Sequence, residues 1–169
     1  MTTASIQEIK KELRTLDADH VQELCMRLAK YKKENKELLN YLLFEAHNEQ
    51  AYIQTVKNDM GEMFTTVPTS NVYFVKKSLR KILRYANRQI KYSGIKETEL
   101  EIRIFFCTKM KEAKIPRNPG TVLFNLYQQQ LKKIEGVFAK LPEDIQADYD
   151  RELKYILTQS WVQRRIPNP

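Results

Sequence analysis

From residue 6 to residue 157 the apolar residues of this chain recur mostly at intervals of three and four, the signature of helices that each bury one face. Ile6, Ile9 and Leu13 open the pattern behind Ser5 and Glu8, a capping-box pair that starts a short first helix. Residues 15–19 break it, and Asp17 suits the N-cap of the next helix. Val21, Leu24, Leu28, Tyr31, Asn35, Leu38 and Leu42 then make a heptad seam with one polar member. Either Asn35 sets the register of a long helix, or the chain breaks within the polar run 31–36. Residues 38–46 are apolar on several sides and are expected to be central.

Asn48 suits the cap of a helix bearing Ala51, Ile53, Val56, Met60 and Phe64. Residues 65–70, with Pro68, read as a linker. A helix over 71–94 follows and ends at Gly94, a residue suited to a left-handed cap. Leu100, Ile102, Ile104, Phe105, Phe106, Cys107 and Met110 point all round the next helix, which marks an element covered by neighbours. Alternation at Leu100, Ile102 and Ile104 also permits a short strand, but no partner strand is evident. Residues 116–120 form a loop. A long helix carries Phe124, Tyr127, Leu131, Ile134, Phe138 and Leu141, and Pro142 separates it from a last helix with Ile145, Tyr149, Leu153, Ile156, Leu157 and Trp161. Arg164 and Arg165 suit the C-terminal end of its dipole, and Pro167 and Pro169 stop it.

The expectation is an all-α fold: one domain over 1–169 with seven or eight helices, as a bundle or a short α-solenoid of helical hairpins. A weak echo at a 52-residue offset, Leu79 and Ile82 against Leu131 and Ile134, is what admits the solenoid. A domain of 169 residues buries about 70% of its unfolded surface, so it needs no staples. Only four glycines are present, which suits long helices with few tight turns.

Charge is distributed unevenly. The chain has 29 Lys+Arg against 21 Asp+Glu, yet residues 63–96 hold eight basic residues and no acidic one. The remainder is balanced, 29 − 8 = 21 against 21, so the whole net charge of +8 sits in this stretch. Lys77, Lys81, Arg84, Arg88 and Lys91 step by four and three and line up opposite the stripe of Val75, Leu79, Ile82, Leu83, Ala86 and Ile90. Lys76 and Arg80 widen the basic side, and Tyr73 lies among the basic positions. Phe74, Tyr85 and Tyr92 follow one edge, and Asn87 and Gln89 could add polar contacts. Cations beside aromatic rings meet phosphates and stack on bases. The same face could instead dock an acidic protein or an anionic membrane surface, or pair internally with Glu97, Glu99 and Glu101 or with Glu143, Asp144, Asp148 and Asp150.

Chemistry is harder to place. His20 and His47 are the only histidines, without the spacing of a metal helix, and surface or capping roles suit them. An alternative is an enzyme or metal site where His20 and His47 converge with Glu45 or Glu49. No nucleophile elbow, phosphate loop or dinucleotide fingerprint occurs. Cys25 and Cys107 are expected to be reduced and buried. No cofactor is expected, and the expectation is a non-enzymatic protein. The N-terminus lacks the apolar core of a secretory signal, and no run of 18 apolar residues occurs, so a cytoplasmic protein without a membrane span is expected.

The stretches KKELRTL, YKKENKELLNYLLFEAHNE and FVKKSLRKILRYANRQIKYSG resemble a family of small all-helical bacterial proteins known as a domain of unknown function. The shared features are a short first helix ending in Leu-x-x-Leu, a K-x-x-x-K-E-x-x-x-Y-L segment, and a basic helix before a glycine turn. The resemblance spans about residues 9–157, implies a helical fold, and carries over no activity or catalytic residue. Ala46, His47 and Asn48 stand where that family usually has an Asn-Pro turn. The first helical pair also resembles helix-extended-loop-helix DNA-binding modules, but lacks their loop glycine.

The leading expectation is an interaction module. Its site is Tyr73, Lys76, Lys77, Arg80, Lys81, Arg84, Arg88 and Lys91, and its partner is an acidic protein or nucleic acid. A homo-oligomer built along one of the heptad seams is the third reading.

Overall fold

The structure is a computed structural model that describes residues 2–115 and 120–158. Among the described residues there are eight α-helices and no strand, so the all-α expectation holds. They are α1 (Ile6–Leu13), α2 (Ala18–Tyr31), α3 (Lys33–Asn40), α4 (Glu49–Thr65), α5 (Val72–Ser93), α6 (Lys96–Glu112), α7 (Val122–Phe138) and α8 (Glu143–Leu157), with a π-helical segment Tyr41–Glu45 after α3. Residues 100–104 lie inside α6, which removes the strand alternative. The expected loop at 116–120 falls outside the described residues except Gly120, whose φ of 77° needs glycine's freedom. The expected positions of Trp161, Arg164, Arg165, Pro167 and Pro169 also fall outside. Packing divides the chain into two compact units, Met1–Ala46 and His47–Pro169.

In the N-terminal unit, local chemistry defines the elements. The Ser5 hydroxyl accepts from the Glu8 N–H at 3.3 Å, and the Glu8 carboxylate accepts from the Ser5 N–H at 2.7 Å, completing the capping box of α1. Asp17 caps α2 by accepting from the His20 N–H at 2.9 Å. α2 stops because Lys32 turns to an extended conformation, φ −142° and ψ 145°. The heptad seam is therefore cut there. The Asn35 amide donates to the Leu28 carbonyl at 2.9 Å, satisfying a carbonyl that the end of α2 leaves open, so it acts as a cap and not as a register residue.

Two expectations fail in this unit. Residues 38–46 are not central: Tyr41 is buried, but Leu42, Leu43 and Phe44 are 57%, 62% and 66% exposed. A segment apolar on several sides needs cover on several sides, and no side chain of α1, α2 or α3 is fully buried. Cys25 is exposed; of the two cysteines only Cys107 is buried.

The second unit is a bundle around one helix. α6 packs against α4, α5, α7 and α8, and α4 also packs against α5. Its Leu100, Ile102, Phe106, Cys107 and Met110 are fully buried, on different sides of the axis, as their spacing predicts. One shared central helix distinguishes this arrangement from stacked hairpins, so the bundle holds and the solenoid does not. The buried polar side chains Thr98, Arg103 and Gln130 are hydrogen-bonded. Arg103, 7% exposed, donates to Glu99 at 2.7 Å and to Gln130 of α7 at 2.9 Å. The Tyr127 hydroxyl donates to the Ile156 carbonyl at 2.7 Å, joining α7 to α8. Lys111 donates to the carbonyls of Tyr155 and Thr158, where a cation complements the negative end of α8.

Candidate functional site

α5 is amphipathic, and its orientation is fixed from the buried side. Val75, Leu79, Ile82, Ala86 and Ile90 form the buried stripe, with Leu79 and Ile82 at 0% and 1% exposure. α4 adds polar links that set rotation and register. The Tyr52 hydroxyl donates to the Gln89 side chain at 2.8 Å and lies 3.1 Å from its carbonyl. The Tyr85 hydroxyl donates to Asp59, and the Ser93 hydroxyl donates to Glu49 at 2.5 Å. The Thr98 hydroxyl of α6 reaches the same Glu49 oxygen at 2.5 Å. At the ends, Asn71 accepts from the Tyr73 N–H at 2.9 Å, and Gly94 closes the helix in the left-handed region at φ 70°.

With the apolar stripe inward, the basic positions face outward. Lys77, Arg80, Lys81, Arg84 and Lys91 are exposed, and Lys76 and Arg88 are half-buried. Tyr73 is 66% exposed and stands four residues before Lys77, on the same face. Its ring meets Phe74 edge-on, with centroids 5.3 Å apart. Phe74 is itself 50% exposed, so the basic face begins at an aromatic corner. At 1.5 Å per residue, Tyr73 to Lys91 spans about 27 Å. All eight residues expected from sequence thus lie on one side of α5, six of them exposed and Lys76 and Arg88 half-buried, with the Arg88 Nε shielded from solvent. The other expected contributors differ. Gln89 is engaged by Tyr52, Tyr92 is buried, and Tyr85 is half-buried with its hydroxyl on Asp59. Burial, with Asp59 adding to it, pushes the Tyr85 hydroxyl well above the usual phenol range, so it stays protonated.

Three of the seven acidic residues expected to neutralise this face, Glu99, Glu101 and Asp150, are directed elsewhere. Glu101 binds Lys57 of α4 at 2.6 Å and accepts from the Tyr149 hydroxyl at 3.1 Å. Glu99 pairs with Arg103, and Asp150 lies 3.7 Å from Lys154. Among the described residues, Lys76, Lys77, Arg80, Lys81, Arg84 and Lys91 form no ion pair within the chain. The helix carries several like-charge neighbours instead, such as Lys77 with Lys81 and Lys81 with Arg84, a cost of roughly 0.2–0.5 kcal/mol per pair.

The histidine alternative gathers less. His20 Nδ1 lies 2.7 Å from Asp17 at the start of α2, and His47 is exposed. Glu45 accepts from Asn40 at 2.7 Å, and Glu49 is held by Ser93 and Thr98. Among the described residues no three His, Cys, Asp or Glu side chains gather as a metal site requires. Cys107 is fully buried, and burial raises its thiol far above the usual range, which keeps it protonated and inert. No described helix is long and apolar enough to cross a membrane.

Sequence reasoning missed Val72, 62% exposed beside the aromatic corner, although it did place Phe74 among the aromatics next to the basic face. It also missed Arg103 as a buried ion-pair partner, for which Glu99 at four residues' distance was the available signal. Comparison with protein-family models, with curated proteins and with solved structures finds no match to this chain.

Proposed function

We propose that this chain is a non-enzymatic interaction module that binds an acidic partner, a nucleic acid or an acidic protein, along the outer face of α5. The observation that carries this reading is that Lys77, Arg80, Lys81, Arg84 and Lys91 are exposed on one helix and form no ion pair among the described residues. Cations left in water on a rigid helix keep their full attraction for an external polyanion, since no internal carboxylate must be displaced. Concentrating the net charge of +8 in one stretch gives that attraction a direction. Tyr73 and Phe74 add apolar and stacking surface at one end, which suits a partner with exposed bases or aromatic side chains.

Fluorescence anisotropy of labelled single-stranded RNA, duplex DNA and poly-glutamate, at low and moderate salt, tests this directly. Wild type is compared with K77E/K81E/R84E/K91E, four exposed positions whose reversal leaves the buried stripe untouched. The expected result is binding to at least one polyanion that weakens with salt and is lost in the variant. For a nucleic acid, log K should fall with log salt with a slope of about −0.7 to −0.9 per phosphate contacted. Absence of salt-dependent binding to all three probes overturns the reading.

A further inference from the structure

The N-terminal unit carries a second uncovered face. Leu24, Leu28 and Tyr31 are 40%, 60% and 76% exposed along α2. They step by four and three and so share one stripe. In the unit spanning Met1–Ala46 the three α-helices leave every side chain at least partly exposed, so apolar burial offsets less of the entropy of ordering the chain than in a closed core. This stripe stabilises the unit only when another surface covers it.

The charges beside the stripe indicate which surface. Before Met26, α2 and its cap carry Asp17, Asp19 and Glu23 and no Lys or Arg. From Arg27 to Lys33 the charged residues are Arg27, Lys30, Lys32 and Lys33, all basic. Asp19, Glu23, Arg27 and Lys30 step by four, four and three along one flank of the stripe. Glu23, Arg27 and Lys30 line a shallow depression together with Gln22 and Met26. Glu23 and Arg27 stand one turn apart on this flank, yet they form no ion pair with each other, and both are exposed. A rod that is acidic first and basic last is complementary to itself when turned end for end.

We propose that α2 docks antiparallel on α2 of a second copy of this chain, about a two-fold axis near Cys25 and Met26. Leu24 then lies beside Leu28 of the second copy, and Val21 beside its Tyr31. Glu23 comes between Arg27 and Lys30 of the second copy, and Asp19 comes beside its Lys32. The two helix dipoles oppose, which favours the same direction. A parallel pairing sets acid against acid and base against base. The apolar stripe supplies affinity and the charges fix direction. This interface uses none of the α5 residues.

Sedimentation equilibrium of the full chain at low salt should give twice the mass of one chain. A short bis-maleimide should join Cys25 to Cys25 of the second copy, because the other thiol, Cys107, is buried. L24K/L28K should return the mass to one chain and abolish the cross-link. Both positions are exposed, so circular dichroism should show helix content retained. The charges give a readout that survives even if that variant unfolds. E23K alone, or R27E/K30E alone, should weaken the dimer at least about tenfold, and E23K/R27E/K30E together should restore it. A wild-type mass of one chain at every concentration overturns the proposal. So does a dimer whose Cys25 residues do not cross-link, or one in which the combined charge reversal weakens association as much as either part.

Discussion

Arg103 brings a charge into the core around α6, and its two partners are unequal. Glu99 is one turn away with a side chain 28% exposed, whereas Arg103 itself is 8% exposed at the side chain. Removing the arginine leaves a carboxylate that water can reach, and methionine fills the space. Removing the carboxylate leaves a buried guanidinium held only by Gln130 among its described partners. R103M also leaves the buried Gln130 carbonyl without its donor, so it should cost about 1–3 kcal/mol, and E99L about 3–5 kcal/mol, in urea unfolding. The reverse order would mean that the pair acts through Glu99's packing and not through charge. Two exposed carboxylates offer a different residue-scale test. The Ser5 N–H, with the Ser5 hydroxyl second, holds Glu8 below its usual 4.5, and the His20 N–H, with the His20 ring second, holds Asp17 below its usual 3.8. Since the folded values are depressed, the capping contribution is complete above 4.5 and 3.8 respectively. It is lost as pH falls through the lower folded values. Carboxyl-carbon NMR titration should place both midpoints below those values, and S5A should move that of Glu8 back towards 4.5. Midpoints at or above the usual values would remove these carboxylates from the caps.

At the scale of elements, most of the fold was legible where local chemistry or periodicity decides it. Ser5, Asp17, Asn48 and Gly94 end or begin helices as their residue types predict, because a cap is satisfied within a few residues of itself. The apolar circumference of α6 announced a central helix, and the stripe of α5 announced which side faces out. What sequence could not supply was the supply of neighbours. Residues 100–110 and residues 38–46 both read as apolar all round, yet only the first is enclosed, by four helices. The second belongs to a unit whose three α-helices leave every side chain at least partly exposed. The basic face was legible for the same reason as α6, and the links that lock it, Tyr52 to Gln89 and Tyr85 to Asp59, were not. They join residues 37 and 26 positions apart, beyond any local pattern. Phe106 and Phe44 turn this contrast into a measurement. They are 0% and 66% exposed. F106A should cost about 3–5 kcal/mol through lost burial and a cavity, and F44A within about 0.5 kcal/mol. Equal losses in urea unfolding would show that residues 41–45 are enclosed in solution.

Across the whole molecule, the like charges on α5 oppose folding, and under the proposed function they are what a polyanion would bind. Wild type has a net charge of +8, and outside residues 63–96 the charges balance. Seven of the eight cations in that stretch lie on α5, and the eighth, Lys96, opens α6, so most of the repulsion acts within one helix, where Lys77, Lys81, Arg84 and Lys91 follow one another at four, three and seven residues. Salt screens such exposed charges over roughly 8–10 Å, so raising salt from low to moderate should raise the melting temperature of wild type. Replacing Lys81 and Arg84 with glutamine removes the like-charge contacts at the centre of the face without introducing new ion pairs. K81Q/R84Q should gain roughly 0.5 kcal/mol at low salt and lose most of that advantage at high salt. The same variant should bind a polyanion more weakly, with a slope against log salt reduced by up to about two phosphate contacts. Stability gained where binding is lost is the pattern of a face retained for a partner. If K81Q/R84Q is instead destabilised at low salt, these cations contribute to holding the fold, and the outer face of α5 is a structural surface.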